Sequence, residues 1–86
     1  MMRLNPSAAN DRPARLERPQ GPSFSPREID CLSLLVLGHT DREIARSLSI
    51  THATVRFHLD SARRKSSARS RTHLAALAVS LGVAQP

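Results

Sequence analysis

Between residues 26 and 36 the apolar side chains Ile29, Leu32, Leu35 and Val36 recur at i, i+3, i+6 and i+7, a spacing that lines one face of a helix. The same period returns with Ile44, Ala45 and Leu48, with Val55, Leu59 and Ala62, and with Leu74, Leu77, Ala78 and Leu81. No stretch alternates apolar and polar residues as a half-buried strand does. The pattern predicts an all-α chain of four helices.

Punctuation between the stripes sets their ends. Ser25-Pro26-Arg27-Glu28 reads as a capping box with proline at the first helical position, and Thr40-Asp41-Arg42-Glu43 repeats the box ahead of the second helix. Gly38 is placed to stop the first helix as a left-handed cap. Thr51 is expected to cap a third helix from His52 to about Lys65, and Ser70 or Thr72 a fourth that ends at Gly82. Only Ser49-Ile50-Thr51 separates helices two and three, so the expected fold is a four-helix bundle with a central helix-turn-helix over residues 24–86. Residues 1–23 have another texture: Pro6, Pro13, Pro19 and Pro22 with scattered arginines and little apolar clustering, the composition of a flexible tail.

At 86 residues the chain has room for one small domain, which on folding buries only about 60% of the surface of its unfolded chain. A formal charge of +6 favours an anionic partner, nucleic acid first. Cys31 is the single cysteine and cannot form an intramolecular disulfide, consistent with a reducing, cytoplasmic setting. No apolar run reaches the ~20 residues of a membrane span. His39, His52 and His73 are too scattered to make a metal set with Cys31, and no nucleophile-base pairing or glycine-rich phosphate loop is present. Neither an enzyme nor a cofactor is expected.

The charge is not spread evenly. Arg56, Arg63, Arg64, Lys65, Arg69 and Arg71 lie on or just after the third helix with only Asp60 against them, whereas the second helix carries Asp41 and Glu43. A basic second helix after a short turn is the arrangement that enters the DNA major groove. Phe57 falls on the polar side of that helix, opposite Val55, Leu59 and Ala62, where an aromatic ring has no core to fill. It can lie against a thymine methyl or pack on the tail or a neighbouring chain. His58 borders the apolar arc and is expected to be structural.

The string FSPREIDCLSLLVLGHTDREIARSLSITHATVRFHLDSARRK resembles the DNA-binding domain of LuxR-type (GerE-like) transcriptional regulators. The resemblance rests on Pro26-Arg27-Glu28, Gly38, Glu43-Ile44-Ala45, Leu48, Ile50, Thr54-Val55, His58-Leu59 and Lys65, followed by Arg69-Ser70-Arg71, and spans residues 24 to about 82. The wording is nearest to the quorum-sensing receptors of that family, whose large signal-binding domain has no counterpart here, so a stand-alone small regulator or an excised domain is expected. The resemblance implies base contacts by Arg56, Phe57 and Asp60, and backbone contacts by Arg42, Thr51, Thr54, Arg63, Arg64, Lys65, Arg69 and Arg71. Asp60 stands where relatives are often basic; it can accept from cytosine or orient Arg56 or Arg64 by i, i+4 pairing.

The resemblance also implies a homodimer through the fourth helix, at Leu74, Leu77, Ala78 and Leu81, weak until both copies sit on double-stranded DNA. Ser66-Ser67-Ala68 replaces the Leu-Gly-Val of relatives and predicts a frayed or loosely packed end to the third helix. The rival reading is a protein-interaction module that pairs with a full-length regulator and binds DNA poorly; contact with RNA polymerase is a further possible partnership.

Overall fold

The computed structural model describes residues 22–84. Among them are four helices and no strand: α1 (Pro26–Val36), α2 (Asp41–Leu48), α3 (His52–Ser66) and α4 (Arg71–Ser80). The expected tail lies outside the described residues apart from Pro22 and Ser23. Both capping boxes form. The Ser25 amide donates to Glu28 Oε1 at 2.9 Å and the Glu28 amide to Ser25 Oγ at 3.1 Å, and Thr40 and Glu43 repeat the exchange at the same two distances. Thr51 and Ser70 cap α3 and α4 by accepting from the amides of Thr54 and His73.

All four helices stop in the same way. Past α1, Gly38 at φ +94° lets its own amide reach Leu35 O and the His39 amide reach Leu34 O, which satisfies two carbonyls that the helix leaves unpaired. Gly82 does the same after α4, while Ser49 and Ser67 take the left-handed conformation after α2 and α3 without being glycine. The expected fraying of α3 is not seen. The helix continues through Ser66, whose hydroxyl donates back to Ala62 O at 2.9 Å, and Ala68 is buried just beyond the cap.

The core is built from Cys31, Leu32 and Leu35 of α1, Ile44 and Ala45 of α2, Val55, Leu59 and Ala62 of α3, and Leu74 and Ala78 of α4, closed by Ala68 and Ala84. The buried stripe of α1 sits one residue from where the apolar letters placed it. Glu28, Cys31, Leu32 and Leu35 are buried, and Ile29 is only half-buried. A charged residue occupies the first inward position, which hid the true i, i+3, i+4, i+7 register.

Glu28 is tolerated there because it is paired with a cation and a backbone amide. Only 4% exposed, it accepts from Lys65 Nζ at 2.7 Å as well as from the Ser25 amide. Burial by itself would raise its pKa, but the hydrogen bonds from Lys65, the Ser25 backbone and the Ser61 side chain outweigh it and hold the carboxyl at about 2. Burial pushes the Cys31 thiol up, and the neighbouring Asp30 adds to the shift. α1 and α3 each pack on every other helix, whereas α2 and α4 do not pack on each other.

Candidate nucleic-acid interface

The three-residue turn gives α3 a fixed start. Ile50 tucks partly against the core, and Thr51 Oγ1 accepts from the Thr54 amide at 3.0 Å and lies 2.8 Å from Thr54 Oγ1. With Val55 and Leu59 inward, Arg56, Phe57, Asp60 and Arg64 face solvent. Phe57 is 63% exposed, and its ring meets His58 edge-on with centroids 5.6 Å apart. His58 is half-buried at the border of the core face. Beside Phe57 an open groove runs between α3 and the start of α4, with Leu59 and Leu74 deeper in and Arg56, Asp60, Arg63 and Arg69 along it.

The basic residues divide by what they already hold. Arg42, Arg56 and Arg69 are exposed and have no carboxylate partner among the described residues. Arg63 and Arg64 share Asp60, at 3.5 Å and 3.3 Å, in exposed pairs of the kind worth well under 1 kcal/mol. The i, i+4 pairing expected of Asp60 therefore forms with Arg64 and not with Arg56. Lys65 and Arg71, both expected against phosphates, are exposed but already hold partners within the chain: Lys65 holds Glu28, and Arg71 holds Asp41 Oδ1 at 2.6 Å and His39 O at 3.3 Å. A cation that already neutralises a shielded carboxylate has less to give to a phosphate.

Comparison with known proteins shows the family of the chain. The sequence profile of bacterial regulatory proteins of the luxR family (GerE) matches residues 22–78. The chain belongs to the LuxR family. Among LuxR-family relatives, the quorum sensing-dependent transcriptional regulator VjbR of Brucella ovis is 46% identical over 60 residues, which is 70% of this chain and 23% of that protein. RpaR of Rhodopseudomonas palustris, also named a quorum sensing-dependent transcriptional regulator, is 39% identical over 85 residues, covering 95% of this chain and 35% of its own length. The transcriptional activator CarR of Pectobacterium carotovorum is 36% identical over 58 residues, 67% of this chain and 24% of that protein. The chain thus spans about a quarter to a third of the length of these LuxR-family relatives.

The α4 expectations need correction. Leu74 and Ala78 are 2% and 1% exposed and fill the domain's own core against α1 and α3, so they have no surface to offer a second chain. Leu77 is partly buried on the core and Leu81 is exposed. The apolar surface that α4 presents is therefore Val79 and Leu81 with the outer part of Leu77. The stripe of four holds the i, i+3, i+4, i+7 register of a core face, and the letters alone could not say whether it met the domain's own core or a second chain. No helix among the described residues is long and apolar enough to cross a membrane.

Proposed function

We propose that this LuxR-family domain is a sequence-specific DNA-binding module of a transcription regulator, with α3 entering the major groove. One observation carries the reading: Phe57, an exposed aromatic ring, stands beside the exposed Arg56 on the outward face of the helix that follows a three-residue turn. Arg56 can pair with guanine, Phe57 can cover a thymine methyl, and Asp60 can accept from a cytosine amino group when Arg63 and Arg64 turn to phosphates. Arg42, Arg69, Thr51 and Thr54 flank that face and suit backbone contacts, which set register without reading sequence. The regulators that the chain is similar to agree in kind. Two copies joined through the outer surface of α4 would place their recognition helices on successive major-groove turns and favour a pseudo-palindromic site.

Asp60 also favours a second reading, since it already neutralises part of the basic face: an interaction module that pairs with a full-length regulator through α4. Selection from a random duplex library at two salt concentrations, run beside Phe57→Ala and Arg56→Ala, separates the two. A two-fold-related motif that is enriched with the native chain and lost in both variants supports direct readout. Retention without enrichment, or none, moves the weight to the interaction module.

A further inference from the structure

Three helices begin within reach of one carboxylate. Asp41 is the first residue of α2, His52 of α3 and Arg71 of α4, each directly after its capping Thr40, Thr51 or Ser70. Asp41 Oδ1 accepts from Arg71 Nη1 at 2.6 Å, Asp41 Oδ2 lies 3.6 Å from His52 Nε2, and Arg71 Nη2 donates to His39 O, the carbonyl that follows the glycine stop of α1. The Asp41 side chain is 21% exposed. Helix N-termini carry partial positive charge, so a carboxylate at their meeting point is favoured there, while an arginine at the first position of α4 works against its own helix. The stability of α4 does not explain Arg71. Its two contacts reach the start of α2 and the turn before it, the part of the domain on which α4 does not otherwise pack.

We infer that Asp41 and Arg71 form a clasp that positions the start of α4, and with it Arg69 and the groove wall, against the recognition helix. Arg71 is thus a positioning residue for DNA readout and makes no phosphate contact. The inference rests on the DNA-binding reading for its functional consequence. The clasp aligns the basic residues after α3 with the face that carries Arg56 and Phe57, so its loss lowers discrimination between sequences more than general attraction to DNA.

The test measures affinity for a selected duplex and for a random duplex across a salt series, with Arg71→Ala, Asp41→Asn, the double variant and Arg71→Lys. The clasp predicts that either single change weakens specific binding about tenfold, the scale of one lost base contact. Random-duplex binding and its salt slope stay as in the native chain, the double variant is no worse than either single one, and lysine restores part of the loss. A phosphate contact predicts opposite signs: Asp41→Asn frees the guanidinium and tightens binding, while Arg71→Ala flattens the salt slope by about 0.9. That result overturns the inference. Should the native chain bind no DNA, the DNA reading fails alone. The clasp is then judged by amide exchange at Thr72, His73 and Leu74, which must quicken equally in both single variants and no further in the double; additive effects overturn it.

Discussion

Lys65 Nζ donates to Glu28 Oε1 at 2.7 Å, joining the first turn of α1 to the last turn of α3 across 37 residues. The same oxygen closes the α1 capping box, so one carboxylate stabilises a helix start and a tertiary contact together.

Stability should therefore depend on acid pH through Glu28. With the carboxyl near 2 in the folded state against about 4.5 unfolded, the native state favours the charged form. The resulting stabilisation, about 3 kcal/mol, is present above pH ~4.5 and is lost as the pH falls toward 2. Lys65→Met leaves the buried carboxylate without its cation and should cost about 3 kcal/mol at pH 7, with the deficit shrinking near pH 3. Urea midpoints at both pH values check this; an equal deficit at each would refute it.

Serine in the left-handed conformation is strained, because its Cβ crowds the following carbonyl. Ser49→Gly and Ser67→Gly should each stabilise the domain by about 0.5 to 1 kcal/mol, and Ser67→Val should destabilise it, all read from thermal unfolding. A loss of stability in both glycine variants would mean that neither cap is formed as described.

The corrected assignment of α4 makes its own prediction. Leu74→Ala removes a buried side chain and should cost roughly 2 to 5 kcal/mol, whereas Leu81→Ser should change stability by less than about 0.5 kcal/mol. Denaturant curves on the two variants distinguish them, and the reverse order would put Leu81 in the core and Leu74 outside it.

Cys31 is fully buried and its thiol is pushed up by that burial, so the native protein should resist a thiol-specific reagent at pH 8. Modification should follow unfolding and speed up in Leu74→Ala. Prompt labelling of the native chain would contradict the burial.

Much of this fold was legible in the letters, and for local reasons. Capping boxes, Gly38 and the three-residue turn act within a few residues of one another, so their geometry follows from spacing. What escaped was set by distance in sequence. Glu28 reads as a cap residue, and nothing near it announces that Lys65 will neutralise it and draw it inward, displacing Ile29. Arg71 reads as one more cation in a basic run until Asp41, 30 residues earlier, takes it. Among the site residues, the outward placement of Phe57 followed from helical period alone, because Val55 and Leu59 fix the rotation of α3.

The packing of α3 on all three other helices bears on the thermodynamics of association. A helix packed on three others along its inner face is already ordered before it meets a partner, so complex formation should add no backbone folding and show only the modest negative heat-capacity change of surface burial. On the proposed DNA-binding reading, the entropic penalty falls instead on the side chains of Arg42, Arg56 and Arg69, which have no carboxylate partner among the described residues, at about 0.5 to 1.5 kcal/mol for each one immobilised. On that reading the frame is set before binding, and the loss of freedom is concentrated in three arginines.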